Sequence, residues 1–128
     1  MKPILTKTDY NTIKDLIIDT PQHLRTKEIS LLAREIESAT KVPDEEAPTD
    51  IIRINSFFEV QDVESGQILN YQLTLPKFSN VAEKKVSLLS PLGVALIGFK
   101  TGMEIEWLLP GGLKKLKILS ANTPAPVN

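Results

Sequence analysis

Apolar residues recur at helical spacing in the first 40 positions and at every second position beyond residue 50. Ile13, Leu16 and Ile17 share one helical face, with Asp9 placed as an N-cap ahead of them. This first helix should end near Asp19-Thr20-Pro21, because the residue before a proline is pushed out of the α region. From Thr26 to Thr40, Ile29, Leu32, Ile36 and Ala39 recur in steps of three and four and make a single apolar seam. Arg25, Lys27, Arg34, Glu35 and Glu37 mostly fall off it. The pattern predicts an antiparallel helical hairpin whose apolar faces bury against each other or against the rest of the chain.

Val42 to Asp50, VPDEEAPTD, reads as a linker, with two prolines, four acids and little apolar content. The period then changes to two. Ile51–Val60 predicts a strand with Ile52, Ile54, Phe58 and Val60 on one face, and Glu64-Ser65-Gly66-Gln67 predicts a turn. Leu69, Tyr71, Leu73 and Leu75 share a face of the next strand, which Pro76 stops. Val86–Leu89 predicts a short buried strand. Ser90 then stands as an N-cap and Pro91 at the first position of a short apolar helix, Leu92–Ile97, with Gly98 as its cap. Ile105, Trp107 and Leu109 alternate before the turn Pro110-Gly111-Gly112, and Leu116 and Ile118 alternate after it. The closing residues ANTPAPVN read as a disordered tail, set at 123–128. The expected fold class is α+β: a helical hairpin with an acidic linker over 1–46, then an antiparallel sheet of about five strands carrying one helix over 47–122.

Composition adds mostly exclusions. The chain has 128 residues and an ordinary 41% apolar and 24% charged content. No apolar run reaches the ~18 to 20 residues of a membrane helix, and MKPILTKTDY does not read as a secretory signal. There is no cysteine for a disulfide, a thiolate ligand or a thiol nucleophile. A cytoplasmic protein is the simplest expectation. A net charge of −1 argues against a dedicated nucleic-acid binder. Residues 1–50 hold 7 basic and 10 acidic side chains, and residues 51–128 hold 8 and 6, an asymmetry that orients an encounter without identifying the partner.

Candidate chemistry is sparse. Asp44, Glu45, Glu46 and Asp50 fit a solvated linker better than a metal site. His23 is the only histidine, so no cluster of histidines can be built. Gly111-Gly112 joins two strands rather than opening a helix, unlike a phosphate loop. Trp107 reads as core, and Lys115 and Lys117 as an outward strand face beside Lys114. The Ser90-Pro91 pair is accounted for by capping alone. No catalytic residue, metal or cofactor is expected, and no GxxxxGK[ST] loop is present.

The order of signals in Ser87–Leu119, with the acidic segment leading into Asn55-Ser56, is similar to a known pattern. Ser90-Pro91, Ala95-Leu96-Ile97-Gly98 and Pro110-Gly111-Gly112 fall in sequence as in the GreA/GreB family of bacterial transcription elongation factors. Within it the chain most resembles the Rnk type, the regulators of nucleoside diphosphate kinase. The resemblance implies an FKBP-like domain that docks on the coiled coil at the rim of the RNA polymerase secondary channel, with Ser90 and Pro91 at the contact. In Gre factors a long N-terminal coiled coil carries an acidic tip into that channel, where its carboxylates help hold a catalytic Mg²⁺. Here Thr26–Thr40 spans only about 20–25 Å at ~1.5 Å per residue, and the loop Asp19-Thr20-Pro21-Gln22-His23-Leu24-Arg25 holds a single carboxylate. The implied activity is polymerase binding without stimulated transcript cleavage and without sequence-specific nucleic-acid contact. A peptidyl-prolyl isomerase on the same fold, and a true cleavage factor, are the alternatives.

Overall fold

Thr6, not Asp9, opens the first helix in the computed structural model, which describes residues 2–109 and 111–124. Ile4–Thr6 forms a short strand, β1, and α1 follows at once over Lys7–Asp19. The Thr6 hydroxyl accepts the Asp9 amide at 3.0 Å, which satisfies one of the free donors of the first turn. Asp9 is thus the third helical residue, and its side chain is buried. α1 ends at Asp19, as the following proline requires. α2 covers Lys27–Ser38 and is capped by the Thr26 hydroxyl on the Ile29 amide at 3.2 Å. Directly after it, Thr40–Val42 forms β2, which pairs in parallel with β1. The three residues of β1 and of β2 carry too little alternation to be seen in sequence.

The predicted strand Ile51–Val60 divides in two. Asn55 takes a left-handed φ of 76°. The Ser56 amide closes a turn on the Arg53 carbonyl, and the Ser56 hydroxyl accepts the Arg53 amide at 2.7 Å. The strand itself, β3, is Phe57–Asp62. β4 is Ile68–Thr74, β5 is Lys85–Ser87, α3 is Pro91–Leu96, β6 is Glu104–Leu109 and β7 is Gly112–Asn122. They build a five-stranded sheet in the order β5-β4-β3-β7-β6. The expected antiparallel sheet is mixed: β4 and β5 run parallel, while β3–β4, β3–β7 and β6–β7 are antiparallel. A parallel pair needs a crossover, and residues 75–84 supply it with two 3₁₀ turns. Residues 121 and 122 belong to β7, and the Thr123 hydroxyl lies 2.6 Å from that of Ser56, so the sheet runs further into the closing residues than their composition predicts. Residues 125–128 of the tail and Pro110 of the turn lie outside the described residues.

One core joins the helices to the sheet. Phe58, Val60, Leu73, Leu116 and Ile118 from the sheet meet Val94, Ala95, Leu96 and Ile97 around α3. Ile13 and Ile17 of α1, and Ile29, Leu32 and Ile36 with Ala39 of the α2 seam, belong to the same cluster. Fully burying such a side chain contributes roughly 1.5–3 kcal/mol. The helices therefore pack on the body of the molecule, with Tyr10 donating to Glu37 at 2.7 Å across their outer side.

Candidate functional site

The corner after β5 is built almost entirely by serines. The Ser87 hydroxyl accepts the Leu89 amide at 3.0 Å. The Ser90 hydroxyl donates to the Ser87 carbonyl at 2.7 Å and accepts the Gly93 amide at 3.1 Å, capping α3 with Pro91 in its first turn. A hydroxyl has one proton to give, so the Ser90 donor is committed inside the chain. Beside the two half-buried serines, the corner's partly exposed surface is apolar: the Pro91 ring, Leu89 and Leu92. Gly93 lets α3 press on the strand before it, since a Cβ there would sit 2.8 Å from the Leu88 carbonyl oxygen. Past the helix, Gly98 (φ 83°) donates to Ile52 and accepts from Ile4, each at 2.8 Å, and ties three segments together.

At the opposite end of α1, residues 20–26 make the connection to α2. Gln22–Leu24 forms a 3₁₀ turn with His23 exposed. The Arg25 guanidinium donates to the carbonyls of Thr20 at 3.2 Å and Ile17 at 3.1 Å, covering the negative end of α1. Ile18 and Leu24 are 61% and 59% exposed nearby in the chain. Asp19 is exposed at the end of the helix.

The acidic segment is docked rather than free. Asp44 accepts the Thr8 amide at 3.1 Å and also the Thr8 hydroxyl, so a carboxylate from outside the helix serves its electropositive first turn. These bonds from the Thr8 hydroxyl and amide hold the Asp44 carboxyl below its ordinary range. Glu45 and Glu46 stay in solvent, as the linker reading expects. In the same first turn, Arg53 meets Asp9 at 3.1 Å and the N-cap Thr6 at 3.3 Å. Burial pushes the Asp9 carboxyl up despite the Arg53 guanidinium beside it. Pattern reading missed this pair. The T-x-x-D spacing of Thr6 and Asp9 marks the helix start but says nothing of Arg53.

Among the described residues no three acidic or histidine side chains are arranged to hold a metal ion. Lys115 and Lys117 face outward as expected, whereas Lys114 reaches Asp62 at 3.5 Å. The Trp107 side chain lies outside the described residues.

Sequence and structure comparisons place this geometry. The family profile for "Transcription elongation factor, GreA/GreB, C-term" matches residues 47–123. The chain is 27% identical over 99 residues to the Regulator of nucleoside diphosphate kinase of Escherichia coli strain K12, covering 77% of this chain and 73% of that protein. It is 34% identical over 91 residues to the Transcription elongation factor GreA of Alkaliphilus oremlandii, covering 71% of this chain and 57% of that longer protein. Its fold superposes on a prokaryotic GreA/GreB elongation factor from Nitrosomonas europaea with a TM-score of 0.76 at 28% identity, covering 95% of this chain and 98% of the other. From the domain over 47–123 to the helical segment in front of it, the chain belongs to the GreA/GreB transcription elongation factor family.

Proposed function

We propose that this chain binds RNA polymerase at the rim of the secondary channel and acts by occupying that site, without stimulating transcript cleavage. Gre-family factors bind RNA polymerase. The observation that carries the finer reading is the short helical arm. α1 and α2 have 13 and 12 residues, about 20 Å each at ~1.5 Å per residue. A tip that assists metal-dependent hydrolysis needs carboxylate oxygens converging on Mg²⁺. Asp19 is the one carboxylate of the connecting segment 19–25, with the Arg25 guanidinium close by on the Ile17 and Thr20 carbonyls. The acidic residues Asp44–Glu46 sit at the other end of α1, against Thr8.

In this reading the sheet with α3 is an FKBP-like docking domain, and α1–α2 is a short antiparallel hairpin standing where Gre factors carry a long coiled coil. The Tyr10–Glu37 bond, between the start of one helix and the end of the other, supports opposite directions. Docking uses the Ser90-Pro91 corner, through Pro91 and its apolar neighbours rather than the committed Ser90 hydroxyl. Any link to nucleoside diphosphate kinase, as the name of the Escherichia coli relative suggests, is indirect. A polymerase-bound role places the chain in the cytoplasm. No helix among the described residues is long and apolar enough to cross a membrane.

The test is a pull-down with purified RNA polymerase, with and without a competing Gre factor, alongside a cleavage assay on backtracked complexes. The expected result is binding that the competitor displaces, with no stimulated cleavage. Absence of binding at micromolar protein and low salt would sink the reading, and stimulated cleavage would return the chain to the cleavage factors.

A further inference from the structure

β5 and β6 are the two edges of the five-stranded sheet, and among the described residues β5 is covered while β6 is open. Along β5, Asn80 of the crossover exchanges two backbone bonds with Lys85, at 2.9 and 3.0 Å. β6 has β7 on one side and no described strand on the other. The Ile118 amide donates to the Met103 carbonyl at 3.0 Å, and along an antiparallel ladder bonded pairs alternate with unbonded ones. Ile105, Trp107 and Leu109 therefore bond back to β7, and Glu104, Glu106 and Leu108 turn their amides and carbonyls to the open edge. A row of such groups is a template for another strand.

That edge is guarded at one end only. Glu104 and Glu106 are exposed on it, opposite Lys117 and Lys115 of β7, and charges so placed discourage pairing. Beyond Glu106 the strand carries no charge. There Leu108, 65% exposed, stands opposite Leu113, 63% exposed, in the β6–β7 register. Val63 adds to this surface, since its amide donates to the Lys115 carbonyl at 3.0 Å and it lines one hollow with Leu113 and Glu106.

We propose that a second copy of this chain pairs with the open half of β6, antiparallel about a twofold axis at Leu108. A register centred on Glu106 sets that carboxylate against its own copy, and like charges directly opposite destabilise a strand pair. A register centred on Leu108 keeps the two Glu106 side chains four residues apart, roughly 13 Å along the strand. It also lines up Leu113, Leu108 and their two copies in one apolar row across the junction. Leu108 has its amide and carbonyl turned outward, so the opposed pair exchanges two backbone bonds. Any strand satisfies the free backbone; the leucine row favours a twofold copy, because an isologous contact sets each residue against its own equivalent. The shared stretch is short, which places the pair among weak, reversible contacts below roughly 1,200 Å².

Sedimentation equilibrium of the full chain between about 10 µM and 1 mM should show the average mass rising from one chain toward two. Leu108→Lys should hold it at one chain over that range. Ile68→Lys, at another exposed apolar position of the sheet, should leave the rise unchanged. Thermal melts verify that both variants fold. The chain has no cysteine, so single-cysteine variants read the register. Centred on Leu108, the opposed Cα atoms stand about 5.5 Å apart, within disulfide range. Under a mild oxidant Leu108→Cys should then cross-link about tenfold faster than Glu106→Cys. A mass of one chain at every concentration overturns the proposal, as does a rise that survives Leu108→Lys. Cross-linking of Glu106→Cys as fast as that of Leu108→Cys overturns the register, and with it the leucine row that singles out a second copy.

Discussion

Asp9 and Asp44 serve the same end of α1 and titrate in opposite directions. Asp44 has its carboxyl lowered from 3.8 by the Thr8 hydroxyl and amide. It stabilises the fold above its unfolded pKa, and that contribution is lost as pH falls through the folded one. Asp9 has its carboxyl raised from 3.8, chiefly by burial. Its titration favours the fold below its unfolded pKa, and that contribution is lost as pH rises through the folded value. Melts from about pH 6 down to pH 2.5 should therefore show less acid destabilisation in Asp44→Asn than in the wild type. Arg53→Met removes the partner of a buried carboxylate and should cost about 3 kcal/mol near neutral pH. That deficit should shrink toward acid, where Asp9 accepts a proton. A pH-independent deficit in chemical denaturation would count against the ion pair. Neither role was legible in the sequence, because Asp9 meets Arg53 across 44 positions and Asp44 meets Thr8 across 36.

Elements with a sustained period were legible, and elements defined by pairing were not. The α2 seam of Ile29, Leu32, Ile36 and Ala39 is buried throughout, because a three-four spacing admits one helical face. Ser90 and Pro91 opened α3 as their side-chain chemistry requires. Ser90→Ala should cost about 1 kcal/mol of stability. Ser90→Asp keeps a cap, and calorimetry should show most of that loss restored. Gly98 has a left-handed φ, and a Cβ there would stand 2.8 Å from the Ile4 oxygen and from Pro3. Gly98→Ala should therefore destabilise by about 2 kcal/mol or more, read as a shifted denaturation midpoint with unchanged slope. The apparent strand Ile51–Val60 failed as a prediction because alternation cannot register a left-handed residue at its centre. The bond from Asp44 to Thr8 went unread within the acidic segment because composition does not reveal a distant helix start that needs a carboxylate.

At the scale of the whole molecule, the helices and the sheet share one buried cluster. Deleting residues 1–46 uncovers the α3 side of that core. The remaining 47–128 should melt at least about 10 °C lower than the full chain, or lose its cooperative transition. Equal melting of the two would show that the sheet domain is independent of the arm. The arm is thus a packed layer of the fold. The sequence by itself determined the helices, the long strands, the corner at Ser90-Pro91 and the family, since each follows from local periodicity, capping chemistry or the order of short motifs. Tertiary structure alone decided the parallel β1–β2 and β4–β5 pairs, the buried Asp9–Arg53 contact and the docking of Asp44. Each of these joins residues far apart in the chain, and local spacing holds no information about which distant surfaces will bury each other.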